Sequence, residues 1–299
     1  SVAHDSDIEG LKELAQVMKK NGAKAIVQIH HGGAQALPEL TPDGDVVAPS
    51  AISLKSFGQQ EEHDAREMTA EEIEQTIRDF GEATRRAIEA GFDGVEIHGA
   101  NHYLIHQFVS PYYNRRNDVW ADNYKFPVAV IDEVVKAKKA HANDDFIIGY
   151  RLSPEEAESP GISMEITEEL IHQIANKPLD YIHVSLMDVN SVTREGKYKG
   201  ENRLKLIHQW INGRMPLIGI GSVFTAEDAL NAVENIGVEF VALGREILLD
   251  YDFVAKIKEG REDEIINAFD PNREDQHYLT PNLWEQFNQG FYPLPRKDK

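Results

Sequence analysis

Apolar positions along the chain alternate between a spacing typical of helices and short continuous runs typical of buried strands. The segment Ile8 to Met18 repeats apolar residues at helical spacing. Ser6 and Glu9 have the spacing of a capping box at its start. A short apolar run follows at 23–29. The pattern therefore predicts a helix and then a buried strand.

The same alternation continues along the chain, with the capping pairs Thr69/Glu72 and Thr225/Asp228 each preceding a predicted helix. The later predicted helices cover about 69–90, 124–141, 165–176, 201–212 and 225–234. The predicted strands cover 23–29, 94–97, 146–151, 179–184, 216–220 and 238–243. Strands that each follow a helix indicate a parallel sheet in an α/β fold.

Two architectures contain such a sheet, an open doubly wound sheet and a closed (β/α)₈ TIM barrel. Residues that could carry chemistry follow several different strands, at Gln28, His98, Arg151, Gly221 and Gly244. A barrel distributes its site around one rim, whereas an open sheet concentrates it at one switch point. We therefore predict a TIM barrel. Because the chain begins within a helix, its first two strands, roughly 60–80 residues, are predicted to be missing.

We expect a single domain over 1–299. A polar, proline-containing excursion within about 30–68 is long for a strand–helix loop, which is typical of a lid. The segment from about 265 to 299 is predicted to be a C-terminal extension that packs over the barrel or a partner subunit. Its aromatic residues are His277, Tyr278, Trp284, Phe287, Phe291 and Tyr292.

The composition of the chain excludes several classes of partner and cofactor. The net charge of −20 argues against nucleic acid and anionic membrane surfaces as partners, although a phosphorylated cofactor needs only a local site. The chain has no cysteine, which excludes disulfides, Fe–S clusters and cysteine-bound zinc within it. No run is apolar enough for a membrane span or a secretion signal. We expect a cytoplasmic protein that acts on a small molecule, with a homo-oligomer left open.

The segment HGANHYLIHQF, directly after the strand at 94–97, carries the most informative side chains. His98, Asn101 and Tyr103 can all donate hydrogen bonds, and none is charged if the histidine is neutral. Such a set suits the polarisation of a carbonyl and the delivery of a proton. Ester hydrolysis is disfavoured because no activated Ser or Cys nucleophile accompanies the set.

Glycines follow the last two predicted strands, as Gly221-Ser222 and Gly244-Arg245. In barrels these loops commonly bind a phosphate through backbone N–H groups, and an arginine adds a bidentate donor. The alternative is that the glycines serve only tight turns. The pair of glycines together with Arg245 favours the phosphate site.

Arg151 and Gln28 are two further polar residues on apolar strands. Arg151 is interpreted as a cation fixed beside an electron-rich cofactor ring, or alternatively as the partner of a carboxylate. Gln28 is interpreted as a buried amide that needs partners, which either a cofactor ring or the backbone would supply.

Paired histidines raise the question of a metal. His30 with His31, and His98 with His102, lack the accompanying ligands of a tetrahedral or facial-triad site. We therefore predict no metal.

Together these motifs resemble the Old Yellow Enzyme family of FMN-dependent oxidoreductases, and especially its bacterial NADH-dependent flavin oxidoreductases. The resemblance runs along nearly the whole chain, at 27–33 (VQIHHGG), 98–116 (HGANHYLIHQFVSPYYNRR), 149–156 (GYRLSPEE), 219–223 (GIGSV) and 242–250 (ALGREILLD).

The resemblance implies an FMN-binding (β/α)₈ barrel that oxidises NADH or NADPH and reduces an activated alkene. Gln28 would meet the pyrimidine edge of the flavin, and Arg151 would lie beside its N1 and O2 atoms. The phosphate would be held by Gly221, Ser222, Gly244 and Arg245.

At the substrate, the resemblance implies that His98 and Asn101 bind the carbonyl oxygen of an enone. Hydride would pass from flavin N5 to the β-carbon, and Tyr103 would protonate the α-carbon. The sequence departs from the family where Asn101 replaces the histidine of many relatives and where Ala34 replaces an arginine. Two alternatives remain: a flavin-binding barrel without efficient turnover, and another phosphate-binding barrel enzyme such as an isomerase or aldolase.

Overall fold

The computed structural model describes residues 1–277, 279–290 and 293–297. Contacts divide the chain into two compact units. Unit 1 comprises Ser1–Ser185 with Val192–Leu217, and unit 2 comprises Leu186–Ser191 with Ile218–Lys299.

Unit 1 alternates helices and strands. Its helices are α1 (Ile8–Met18), α2 (Ala70–Glu89), α3 (Leu104–Val109), α4 (Lys125–His141), α5 (Met164–Ile174) and α6 (Arg203–Ile211). Its strands are β1 (Ile26–Ile29), β2 (Val47–Ala48), β3 (Ile52–Leu54), β4 (His63–Glu67), β5 (Gly94–Gly99), β6 (Ile147–Leu152) and β7 (Tyr181–Val184).

Strands β1, β5, β6 and β7 pair side by side in that order, and every pairing is parallel. Every residue of β5 is buried, as expected for a central strand of a parallel sheet. The register sets Glu96 beside Gln28, and it places Arg151 between His98 on one side and His183 on the other. The sheet thus brings into line polar residues that lie between positions 28 and 183 of the chain.

The excursion after β1 folds into a small sheet of its own, which the hydrophobic pattern did not predict. Strand β4 pairs parallel with β2 and antiparallel with β3. Ala34, Val46, Ala48 and Ala65 form a small apolar cluster in this region. Strands of two to five residues are too short to show a period of two.

One of the predicted capping boxes of unit 1 is present and one is not. The Thr69 N–H donates to Glu72 at 2.8 Å and the Glu72 N–H donates to the Thr69 hydroxyl at 3.2 Å, as predicted. The Ser6/Glu9 box is wrong, because a 3₁₀ turn precedes α1 and the Asp7 carboxylate accepts from the His4 N–H at 3.0 Å.

Unit 2 contains the last elements of the chain. They are β8 (Leu217–Ile220), α7 (Ala226–Asn231), β9 (Phe240–Ala242), α8 (Arg245–Leu249), α9 (Phe253–Lys258) and α10 (Pro281–Asn288), with β8 beginning at the boundary residue. Strands β8 and β9 are parallel. The Thr225/Asp228 capping box is present, as predicted.

The C-terminal extension forms an apolar cluster within unit 2. Phe269 and Phe287 are buried with Leu249 of α8, and Trp284 packs against them. His277 approaches the Leu249 carbonyl at 3.2 Å through Nδ1. The predicted aromatic residues Tyr278, Phe291 and Tyr292 lie outside the described residues.

All six predicted strands of the main alternation are present, and their pairings within each unit are parallel. The largest error in a strand start is at β1, which begins at Ile26 rather than at 23. Two further strands before residue 1 stay a prediction, and so does the single domain. In the part of the chain that the structure describes, no helix has both the length and the apolar character needed to cross a membrane.

Gly94 provides a test of how tightly β5 and β6 pack. A Cβ at this buried position would lie 2.4 Å from the Ile147 carbonyl oxygen. Because that oxygen belongs to a neighbouring strand, Gly94→Ala should lower the free energy of unfolding by roughly 1–3 kcal/mol in urea denaturation. Gly10→Ala on α1 meets nothing within 4 Å and should instead raise it by roughly 0.5–1 kcal/mol. Equal effects of the two changes would contradict the described packing.

Candidate active site

His98 is the buried histidine near the end of β5, with only 3% of its surface exposed. Its Nδ1 atom is buried and has no hydrogen-bond partner among the described residues. Burial, followed by the nearby Arg151 guanidinium, lowers the pKa of His98 to about 3. The ring is therefore neutral at physiological pH, as the sequence analysis required.

Tyr103 lies in a cluster of aromatic rings at the start of α3. Its ring stacks on His30 with centroids 4.9 Å apart, and the His98 ring is 5.1 Å away. Phe57, which is 58% exposed, meets Tyr103 edge-on at 6.4 Å. The structure thus brings the predicted His98 and Tyr103 together. His30 and Phe57 were missed because they lie far away in the sequence and their contacts are tertiary.

Asn101 lies in the turn between β5 and α3. Asn101 and His102 both have left-handed backbones, with φ of 57° and 59°. Asparagine tolerates this conformation better than most residues. The Asn101 backbone N–H donates to the Ser153 hydroxyl at 2.9 Å, which fixes the turn against the residue that follows β6.

The Asn101 side chain is held by two hydroxyl groups. Its carbonyl oxygen accepts from Ser185 Oγ at 3.0 Å and from Ser153 Oγ at 3.3 Å. Neither serine was singled out from the sequence, because Ser153 and Ser185 lie 52 and 84 residues from Asn101.

Arg151 lies near the end of β6. Its Nη2 donates to Ser185 Oγ at 3.0 Å, while its Nε is buried with no partner among the described residues. Burial lowers the pKa of Arg151, and Glu96 opposes that shift. Since no ion pair holds Arg151 within the described chain, the structure does not support the carboxylate alternative, and the unpartnered Nε suits an electron-rich ligand.

Gln28 differs from its prediction as a buried amide, because its side chain is exposed. The amide N–H₂ donates to Glu96 Oε1 at 2.5 Å. Glu96 is 7% exposed, and its other oxygen lies 3.0 Å from His183 Nδ1. Sequence reasoning missed Glu96 because it appears as one acidic residue in an apolar strand, where only the register shows its partners.

Unit 2 holds the predicted phosphate residues. Ser222 Oγ donates to the Met187 carbonyl at 2.8 Å, and Arg245 Nη2 donates to Ser222 Oγ at 3.1 Å. Gly221 has a φ of +130°, and a Cβ there would lie 2.5 Å from the Asp188 nitrogen. This glycine is therefore required by backbone conformation and by a close backbone approach.

Gly244 precedes α8, and an added Cβ there would meet no atom within 4 Å. Protein packing therefore does not demand a glycine at this position. Open space beside Gly244, with Arg245 next in the chain, is consistent with a site for an anion.

In the described residues, His102, His106 and Glu156 bring possible metal-ligand atoms close together. This group differs from the two histidine pairs considered in the sequence. His106 Nε2 lies 2.7 Å from Glu156, and the other Glu156 oxygen accepts from Ser110 Oγ and from the Ile162 N–H. His106 Nδ1 has no hydrogen-bond partner within the described part of the chain, whereas metal-bound histidines usually donate their second N–H. These contacts describe a buried hydrogen-bonded pair, and the predicted absence of a metal stays a prediction.

The fold and the site together define an α/β oxidoreductase, in which the ends of parallel strands present neutral donors and an incompletely partnered arginine. The chain belongs to the NADH:flavin oxidoreductase / NADH oxidase family, whose model matches residues 1–264. It is an enzyme of the Old Yellow Enzyme type, with FMN as cofactor and NADH or NADPH as reductant.

Two curated relatives illustrate the similarity. The chain is 48% identical over 299 residues to the probable NADH-dependent flavin oxidoreductase YqiG of Bacillus subtilis, covering 98% of this chain and 79% of that protein. It is 39% identical over 293 residues to the NADH:fumarate oxidoreductase of Klebsiella pneumoniae. That match covers 95% of this chain but only 31% of the relative, so this chain spans about a third of it.

A solved structure shows the shared fold. The Old Yellow Enzyme homologue from Zymomonas mobilis superimposes with a TM-score of 0.73 at 20% identity, covering 95% of this chain and 79% of that one.

The neutrality of His98 can be tested by titration. Because its pKa is lowered to about 3, the ring stays neutral as pH falls through its ordinary value of 6.5. Its ring-proton NMR resonance, assigned by its loss in His98→Asn, should not shift between pH 8 and pH 5. In urea-unfolded protein the same resonance should titrate near pH 6.5. A midpoint near 6.5 in the folded protein would show that the site carries a charged histidine.

Proposed function

We propose that the protein is an ene-reductase that transfers hydride from NADH or NADPH, through N5 of FMN, to an enone-type activated alkene. The observation that carries this proposal is the buried, neutral His98 within 5.1 Å of the Tyr103 ring, at the strand ends that also carry Arg151. We further propose a (β/α)₈ barrel that binds one FMN.

The residues of unit 1 fit the flavin ring. The unpartnered Arg151 Nε would donate to N1 and O2, where negative charge develops on reduction. Gln28 would donate to or accept from the pyrimidine edge, and its amide is already oriented by Glu96. FMN, when bound, supplies the group that accepts hydride from the nicotinamide and passes it to the alkene.

The residues of unit 2 fit the phosphate. Arg245 and Ser222 are already within 3.1 Å of each other, so a cation and a hydroxyl donor are presented together. Gly244 leaves open space beside the backbone, and Gly221 allows the close backbone approach to Asp188 that shapes this turn. We assign phosphate binding to these four residues.

At the substrate, His98 and Asn101 would donate to the carbonyl oxygen, and Tyr103 would protonate the α-carbon. Neutral donors stabilise the developing enolate without leaving an uncompensated charge in the site when no substrate is bound. The His30 ring stacked on Tyr103 restricts the orientation of the phenol.

The alternatives receive less support. A flavin-binding barrel without turnover has no need for a phenol held beside a neutral histidine. An isomerase or aldolase would use a lysine or a carboxylate as base. The six parallel strands of the described chain carry no lysine. Their one carboxylate, Glu96, is already engaged by Gln28 and His183. The name of the Klebsiella pneumoniae relative, a fumarate oxidoreductase, favours an alkene acceptor.

Tyr103→Phe should separate the two half-reactions. Reduction of the flavin by NADH or NADPH should stay near normal, because that hydride transfer needs no proton from the phenol. Oxidation by cyclohex-2-enone should slow by roughly 10²- to 10⁴-fold, as expected for the loss of a general acid. Both rates are measured by stopped-flow absorbance of the flavin.

The matched control is Tyr112→Phe, since the Tyr112 ring contacts Tyr113 rather than the rings around Tyr103. Unchanged enone turnover in Tyr103→Phe, or an equal loss in the control, would remove Tyr103 from the role of proton donor.

The phosphate assignment predicts a ligand-specific effect. Arg245→Met should weaken FMN binding by roughly 10- to 150-fold, the loss expected when a hydrogen bond to a charged group is removed. Binding of riboflavin, which lacks the phosphate, should change little. Both affinities are measured by fluorescence titration of flavin-free protein. Arg273→Met is the control, because the half-exposed Arg273 guanidinium forms its ion pair with Asp275 at the surface. An equal loss of riboflavin binding would show that Arg245 supports the fold rather than the phosphate.

A further inference from the structure

We infer that Ser153 and Ser185 are positioning residues that hold the Asn101 amide with its N–H₂ group towards the substrate. Ser185 also links this amide to Arg151. The inference rests on the proposed function, because it assigns a direction to the donor that binds the substrate oxygen.

The two serines come from neighbouring strands whose register is fixed by the sheet. Ser153 directly follows β6, and Ser185 directly follows β7. The Ser185 N–H donates to the Leu152 carbonyl at 2.8 Å, which extends the pairing of β6 and β7 to the serine. Both hydroxyls therefore reach the Asn101 side chain from rigid positions.

The direction of each hydroxyl proton follows from the acceptor within its reach. Arg151 can only donate, so Ser185 Oγ accepts from Arg151 Nη2 at 3.0 Å and keeps its own proton to donate. Among the described residues, the acceptor for that proton is Asn101 Oδ1, 3.0 Å away. Ser153 Oγ accepts from the Asn101 backbone N–H at 2.9 Å, and its proton is likewise directed to the Asn101 side chain at 3.3 Å.

Two hydroxyl protons on one side of a carboxamide require its carbonyl oxygen on that side. The Asn101 Oδ1 atom thus takes both serine protons, and the two Nδ2 protons remain for a ligand. A flipped amide would present an oxygen to the substrate oxygen, and it would take away the acceptor that both serine protons have in this structure. The serines therefore make Asn101 a donor with a defined direction.

The same contacts connect Asn101 to the residue assigned to the flavin. Ser185 is the one described side chain that hydrogen-bonds both Arg151 and Asn101. The chain Arg151–Ser185–Asn101 aligns three dipoles so that each donor strengthens the next. The charge of Arg151 thereby increases the polarity of the Asn101 N–H groups that would face the substrate.

The test compares a ketone with an alcohol of the same shape. In the wild-type holoenzyme, cyclohexanone should bind more tightly than cyclohexanol, because a directed donor favours an oxygen that only accepts. In the double variant Ser153→Ala with Ser185→Ala, the amide is free to turn. Ketone affinity should fall roughly 10- to 50-fold, the loss of about two hydrogen bonds, while alcohol affinity should change less than threefold. Binding is measured by equilibrium titration of the oxidised flavin absorbance.

A conservative variant and the single alanine variants show whether the loss of the hydroxyl groups causes the effect. Ser185→Thr keeps the hydroxyl and should restore the preference for the ketone, whereas each single alanine variant should lose only a few-fold. Retained FMN absorbance in the variants excludes a loss of fold as the cause.

The inference is overturned if the wild type shows no preference for the ketone, or if the double variant keeps the same preference. It is also overturned if both ligands weaken equally. An enzyme that prefers the ketone but fails to reduce cyclohex-2-enone would contradict the proposed function and leave this inference standing.

Discussion

The register of β5, β6 and β7 is the constraint on which the site of unit 1 depends. It sets His98 beside Arg151 and Arg151 beside His183, and it brings Ser185 to the end of β6. A shift of one residue would turn each side chain to the opposite face of the sheet. The buried apolar residues of β5 oppose such a shift, because their core contacts would be lost together. Hydrophobic packing thus determines the positions of His98, Arg151 and His183 on these strands.

A buried histidine beside an arginine is held in its neutral form. Burial disfavours the protonated ring, and the guanidinium opposes it further, so both effects lower the pKa of His98. The consequence is a site with one fixed cation and several neutral donors. Such a site can stabilise an anion that forms during the reaction, while the donors themselves need no counter-charge when the site is empty. The strand packing that buries His98 therefore also sets its protonation state.

Features with local causes could be predicted from the sequence. The strand–helix alternation and the Thr69/Glu72 cap depend on residues a few positions apart, and both are present. The candidate site residues were predicted where a polar or glycine residue interrupts or follows an apolar strand, as at His98, Arg151 and Gly221. Ser185 and His30 make their contacts with residues distant in the chain, so neither the Ser185–Asn101 hydrogen bond nor the His30–Tyr103 stacking could be predicted from local sequence. Gln28 shows a related limit, because its polarity in an apolar strand suggested burial, whereas the structure shows an exposed side chain that is bonded to a buried carboxylate.

A histidine or an asparagine can present an N–H donor to a ligand only if its surroundings fix the direction of that donor. An imidazole presents an N–H to a ligand only if its tautomer is set by a partner on the other nitrogen. A carboxamide presents its N–H₂ only if its oxygen is held elsewhere. Here the oxygen is held by Ser153 and Ser185, and the left-handed backbone at Asn101 limits other arrangements of the turn. An asparagine whose oxygen is held by both hydroxyls therefore presents its N–H₂ group in a defined direction.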